Sequence, residues 1–276
     1  MKLSIITINY NNAAGLKKTL DSVAIQTYTD FEHIIVDGAS SDASVDVIRE
    51  YEQSLASNLS PLTYHLKWIS EKDTGIYNAM NKGICMATGE YLLFLNSGDY
   101  LVDESALEKV FANDCLADIL CARCNVSDKG KVVWTSNPPK KVTFGTLYLV
   151  GLAHQSTFIR KNLFEQLGYY DESYRYNADT EFWYRSIVEH NASTQKIDVI
   201  TTDYNLDGIS ETQKNNPVFI EEHRRILSKP MFQNFLPDYI DYKRNIAVAN
   251  EYSWINQYKS LRWILSKIHK SLKQLK

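Results

Sequence analysis

The first hundred residues alternate between two periodicities. "LSIITINY" (3–10) is short and β-branched, which predicts a strand. Asn11 or Asn12 can cap a helix running to about Gln26. "EHIIVDGASSD" (32–42) predicts a second strand entering polar turn residues, and "SVDVIREYEQ" (44–53) a helix. A third strand and loop occupy 63–75, a helix 76–87, and a fourth strand 90–99, "EYLLFLNSGD". Strands separated by helices imply a largely parallel sheet with helices on its faces. Beyond residue 100 the pattern loosens. A hairpin turning at Asp128-Lys129-Gly130 is expected over 118–136, and "NPPKK" (137–141) breaks the chain. Residues 154–190 read as a strand, a short helix ending at Gly168, an aromatic loop and a helix beginning near Asp179. Residues 195–210 read as a last strand and a polar loop. After Pro217 the chain reads as helical, with breaks near Pro230 and Pro237.

This places acids at strand ends. The second strand runs into Asp37, the third into Glu71 and Asp73, and the fourth into Asp99. In a parallel sheet the carboxyl ends of the strands share one edge, where ligands gather. One Asp after one strand is an ordinary turn residue. Three acidic strand ends on one edge repel one another, and a cation or a donor-rich ligand is the natural compensation.

Composition narrows the class. The chain has 276 residues, 44% apolar and 23% charged, enough for one large α/β domain plus an extension. A net charge of −3 gives no general attraction for nucleic acid. No run reaches the roughly 20 apolar residues of a spanning helix. "MKLSIITINYNN" lacks the form of a signal peptide, so a cytoplasmic protein is expected. Cys121 and Cys124 form a lone C-x-x-C without further zinc ligands, and reduced structural thiols are expected, with Cys85 in the core. Residues 259–276 hold six Lys and Arg and no acid, with leucines and isoleucines recurring on one side. That helix either lies on an anionic membrane surface or packs, on the catalytic domain or on a second subunit as a homo-oligomer.

Several stretches together resemble one family: "SIITINYNN", "HIIVDGASSD", "ISEKDTGIYNAMNKGICMATGEYLLFLNSGD", "HQSTFIRKNLF" and "YYDESYRYNADTEFWYR". The chain resembles family 2 glycosyltransferases, inverting enzymes of the GT-A fold, especially bacterial members that build surface polysaccharides. The resemblance implies a Rossmann-like α/β domain over 1–215, with a mixed, mostly parallel sheet, and a helical extension over 216–276. It implies a nucleotide pocket lined near Thr7, Asn9 and Tyr10, with Asp37 accepting from the base and Asp73 near base, ribose or sugar. It also implies Asn96 and Ser97 beside the donor, Asp99 on a divalent cation (Mg²⁺ or Mn²⁺), and His154 and Gln155 on the acceptor side. Asp179 would be the catalytic base. The implied reaction moves a sugar from a UDP- or GDP-linked donor to a hydroxyl of a saccharide or lipid-linked saccharide. Ser97 stands where the family usually carries a second acid. One carboxylate suffices for Mg²⁺ when phosphates and waters complete the shell.

Plainer readings stand beside these. Asp179 could be a helix cap, His154 a structural histidine, Asp37 and Asp73 turn residues, and Asn9 the end of a strand. A nucleotidyltransferase or a non-catalytic binding subunit would be the alternative functions.

Overall fold

The computed structural model describes residues 1–56, 65–112, 114–206, 212–213 and 215–274. Three parallel strands lie side by side: β1 (Leu3–Asn9), β2 (Phe31–Asp37) and β3 (His65–Ser70). β4 (Tyr91–Phe94) joins the other edge of β1, also parallel. The helices between them are α1 (Ala13–Ala24), α2 (Ser44–Ala56) and α3 (Ile76–Met86). β1 and β2 are apolar and buried along most of their length, as strands covered on both faces must be. Leu16, Leu20 and Val23 recur at helical spacing in α1 and are buried in the core with Leu3, Ile5 and Leu93. Burial of each such side chain contributes roughly 1.5–3 kcal/mol. α3 approaches β1 closely. A Cβ at Gly83 would stand 2.4 Å from Ile6 Cγ2, so only glycine lets the helix sit at that depth.

The second half extends the sheet. β5 (Tyr100–Leu101) and α4 (Ala106–Phe111) follow β4 and were not anticipated in the sequence. The expected hairpin is β6 (Ile119–Asp128) and β7 (Lys131–Thr135), turning at Lys129 and Gly130, both of positive φ. The segment α5 (Phe144–Leu149) leads to a 3₁₀ turn at His154–Ser156 and to β8 (Thr157–Arg160). Next come α6 (Lys161–Leu167), which stops at Gly168, and α7 (Ala178–Trp183), which loosens into a π-helix over Tyr184–Glu189. β9 (Thr194–Asn205) closes the sheet, with strand order β3-β2-β1-β4-β8-β6-β9-β5 and β7 paired to β6. β8 is antiparallel to both neighbours, so the sheet is parallel on the β1–β4 side and mixed beyond it. Thr63 and Tyr64 of the expected third strand, the polar loop at 207–210, and Leu275 and Lys276 lie outside the described residues.

The chain forms two compact units, Met1–Ile226 and Leu227–Lys276. The first therefore extends past the change of character at Pro217 and takes in α8 (Pro217–Leu227) almost whole. The second holds α9 (Leu236–Glu251) and α10 (Lys259–Gln274). Cys121 and Cys124 are buried on β6, whereas Cys85 is exposed and not in the core.

Candidate active site

Strand register builds the floor of the site. Asn9, Asp37 and Ser70 are the last residues of three strands and pair laterally, Asn9 with Asp37 and Asp37 with Ser70. Asn9 Nδ2 therefore donates to Asp37 Oδ1 at 2.8 Å, and Ser70 Oγ to Asp37 Oδ2 at 2.6 Å. The turn after β2 adds Ser40, whose amide donates to Oδ2 at 2.9 Å and whose hydroxyl donates to Oδ1 at 2.5 Å. Burial pushes the Asp37 carboxyl up, but these donors outweigh it and hold the group below the ordinary Asp value. Asp37 is fully buried beneath the turn. Thr7 is likewise buried, 2.9 Å from the ring of His33, which burial keeps neutral with a pKa near 3. Of the acids in the third loop, Glu71 pairs with Lys82 at 2.8 Å, and Asp73 Oδ1 accepts from the Gly75 amide at 3.0 Å.

Backbone bonds from Leu95 to Ile6 and from Ser97 to Ile8 carry the chain on along β1 past Phe94. Ser97 thereby arrives beside Asn9, and its hydroxyl donates to Asn9 Oδ1 at 2.7 Å. Gly98 turns the chain at φ +108°, a region that suits glycine. Thr19 of α1 fastens the turn. It accepts from the Gly98 amide at 2.9 Å and lies 2.7 Å from the Asp99 carbonyl. Asp99 then looks into the cleft. Burial pushes its carboxyl up to about 6, the charge of Asp203 adding to this, against the pull of His154 and hydrogen bonds from the Asn96 backbone and Gln155. Asp203, on β9, was not singled out in the sequence; it is buried and accepts from Ser127 at 2.9 Å.

Because β8 runs antiparallel to β4, the residues before it lie beside those after β4. His154 is one of them. Its Nε2 is 3.1 Å from Asn96 Nδ2, and its Nδ1 is 3.3 Å from Asp179 Oδ2. Burial alone would lower the imidazole pKa, but the hydrogen bond and charge of Asp179, with the charge of Asp99, raise it. Two proton arrangements fit. A neutral ring gives its one hydrogen to Asp179 and accepts from Asn96. A protonated ring donates on both sides once the Asn96 amide turns, which also gives a partner to the buried Asn96 Oδ1.

Asp179 is the second residue of α7, after the N-cap position at Asn177. Its Oδ1 accepts from the Thr180 amide at 2.7 Å and lies 3.0 Å from the Tyr77 hydroxyl, whose one hydrogen it shares with the Tyr176 carbonyl at 2.7 Å, leaving Oδ2 toward His154. The loop before it is clamped from α8. Buried Glu222 accepts from the backbone amides of Arg175, Tyr176 (2.9 Å) and Asn177 (3.1 Å). Tyr77 sits inside a quoted motif, but Glu222 lies in a stretch read only as helix.

Many of these groups border one open cleft of about 1580 Å³. Asn9, Tyr10, Asp73, Asn96, Ser97, Asp99, His154, Gln155 and Asp179 line it; Thr7 and Asp37 do not. Lys18, Lys72 and Arg175 bring cations to its wall, and Trp134 of β7 and Val150, both more than half exposed, each add apolar surface to it. Among the described residues no cluster of three or more His, Cys, Asp or Glu could cage a metal. Asp99 supplies one carboxylate on the cleft lining, so it fits a divalent cation whose shell a phosphate ligand and waters complete.

Residues 4–186 match the family model described as glycosyl transferase family 2. A PGL/p-HBAD biosynthesis glycosyltransferase of Mycobacterium bovis is 32% identical over 220 residues, covering 76% of this chain and 79% of the relative. An uncharacterized glycosyltransferase of Mycobacterium tuberculosis is 29% identical over 233 residues, covering 79% and 80%. Among solved structures, S. aureus TarS 1-349 in complex with UDP-GlcNAc superimposes with a TM-score of 0.65 at 20% identity, over 95% of this chain and 80% of TarS. The mannosyltransferase PcManGT of Pyrobaculum calidifontis, in complex with GDP-Man and Mn²⁺, gives 0.60 at 14%, over 96% and 83%. These structural likenesses are of fold, the GT-A arrangement.

Proposed function

Because the chain belongs to glycosyl transferase family 2, we propose that it moves a sugar from a nucleotide-diphosphate sugar to a hydroxyl of a saccharide or lipid-linked saccharide, inverting the anomeric centre, in bacterial polysaccharide synthesis. The nucleotide sugars held by the two solved neighbours support the donor class. One observation carries the reading: Asp99 and Asp179 stand on the same cleft with His154 between them, hydrogen-bonded to one and electrostatically coupled to the other.

Transfer faces two difficulties. The departing diphosphate gathers charge, and a sugar hydroxyl is a poor nucleophile. Asp99 would hold Mg²⁺ or Mn²⁺, which supplies Lewis-acid neutralisation of that charge. Lys18, Lys72 and Arg175 add to the same field along the cleft wall. Asp179 accepts the acceptor proton as attack begins. Tyr77 and the Thr180 amide fix Oδ1 and His154 takes one side of Oδ2, so the remaining lone pair of Oδ2 is the one that receives the proton. A single base on the face opposite the leaving group gives inversion in one displacement. Trp134 offers an aromatic face on which a sugar ring can stack, and we assign it to the acceptor side.

Incubation of purified protein with UDP- and GDP-sugars, with Mg²⁺ or Mn²⁺ and then with EDTA, tests this. Thermal stabilisation by a nucleotide sugar, with metal-dependent release of nucleotide, is expected. A nucleotide sugar held at about 100 times its dissociation constant adds roughly 2.7 kcal/mol. Protein that no nucleotide sugar stabilises would sink the reading and favour a non-catalytic subunit. Formation of nucleotide sugar from sugar phosphate and nucleoside triphosphate would point to a nucleotidyltransferase instead.

A further inference from the structure

The second unit is oppositely charged to the first. Residues 227–276 carry nine Lys and Arg against three Asp and Glu, whereas residues 1–226 carry 21 against 30. The excess is concentrated in α10, which has no acidic residue. Helical spacing puts Leu261, Ile264, Leu265 and Ile268 on one stripe. Ile264, Leu265 and Ile268 are 47, 40 and 50% exposed, so the stripe is open to whatever approaches it. Arg262, Lys267 and Lys270 fall outside the stripe. Trp263 stands among them, 63% exposed, with Lys267 Nζ 5.5 Å from its ring centre. Trp254 and Tyr258, just before the helix, are also about half exposed. No helix among the described residues is long and apolar enough to cross a membrane.

A helix with an open apolar stripe, a basic remainder and aromatic rings at its margin needs a partner that offers hydrocarbon and negative charge together. A second copy pairing through the same helix would set the same cations against these. A bilayer containing anionic lipid meets both demands, taking the stripe into the acyl boundary and the lysines to headgroup phosphates. We propose that α10 lies in the plane of an anionic lipid surface with Ile264, Leu265 and Ile268 toward the hydrocarbon. The acidic first unit has no such attraction to the same surface. The inference stands on the second unit and does not depend on the reaction assigned to the cleft.

Co-sedimentation of the full chain with vesicles tests it. Most of the protein should pellet with phosphatidylcholine vesicles containing phosphatidylglycerol at low salt, and little with phosphatidylcholine alone. Raising the salt should weaken binding about tenfold or more, since screening shortens the reach of the lysines. The double variant Ile264→Glu/Ile268→Glu should lose about tenfold or more of the binding to anionic vesicles. Its thermal unfolding midpoint should match that of the parent, which separates lost contact from lost folding. Lys267→Gln/Lys270→Gln should bind more weakly and with a shallower salt dependence. The proposal is overturned if the full chain stays in solution with anionic vesicles at low salt. It is also overturned if the glutamate variant binds like the parent, or if sedimentation equilibrium shows that this variant splits a dimer.

Discussion

Asp37 ends β2 and Asp99 follows β4, the two strands that flank β1, and they have opposite surroundings. Asp37 receives four hydrogen bonds from the protein and holds its proton less tightly than an ordinary Asp. Asp99 has two hydrogen bonds, from the Asn96 backbone and from Gln155, with the charge of His154, and burial still holds its pKa near 6. One carboxylate is compensated by its neighbours in the strand register; the other is left for something to come and compensate. An acid at a strand end is therefore not yet a ligand site. The number of donors already aimed at it decides.

The most direct way to break this contrast is to remove Asp99. Asp99→Ala should lower turnover by at least roughly 10³-fold and remove most stimulation by divalent metal, as loss of a main anchor for developing charge does. Full metal-stimulated nucleotide release by this variant would remove Asp99 from the chemistry. Next in size is Asp179→Asn, which keeps the shape and the bond from Tyr77 but cannot take a full proton. Donor binding should persist, measured by thermal shift, while transfer slows by at least roughly 10²-fold. Transfer at the parent rate would reduce Asp179 to a helix-start residue.

Stability sharpens the same contrast, because the two Asp→Asn changes should have opposite signs. Asp37 has a lowered pKa, so its ionised form stabilises the fold above the ordinary Asp range and that contribution fades as pH falls. Asp37→Asn turns acceptors into donors against Asn9, Ser40 and Ser70, and should cost about 1–3 kcal/mol at neutral pH. Asp99 has a raised pKa, so ionising it costs stability as pH climbs from the ordinary Asp value through about 6. Asp99→Asn should therefore raise the unfolding midpoint of the ligand-free protein above pH 6, with the gain vanishing in acid. Chemical denaturation of both variants across pH decides it; two changes of the same sign would mean the contrast is wrong. The smallest effect is expected at Trp134. Trp134→Ala should raise the KM for acceptor by several-fold, the worth of one aromatic stacking face, with donor KM unchanged. An unchanged acceptor KM would leave Trp134 outside the acceptor site.

The alternation of periods made the first half legible, since each strand and helix there carries its own burial pattern. Asn9, Ser97, Asp99, His154 and Asp179 were readable from motifs and do share the cleft. What the motifs could not convey was which carboxylates the protein satisfies by itself. Asp37 and Asp73 look alike along the chain, but register buries only the first. β5 and α4 escaped notice because two and six residues are too few for periodicity to speak. Asp203 and Glu222 gave no local signal either. Each gains its meaning from a partner 45 or more residues away.

The Glu222 clamp also bears on the order in which the protein comes to life. The amides it binds, those of Arg175 to Asn177, precede it by 45 to 47 residues. At a synthesis rate of roughly 5–20 residues per second, that interval lasts a few seconds. During it the parallel strands β1 to β4 and the nucleotide pocket they carry can already be in place while the loop before Asp179 still lacks its acceptor. A nascent chain would then bind donor before it can hold its base in place, and competence for transfer would arrive last.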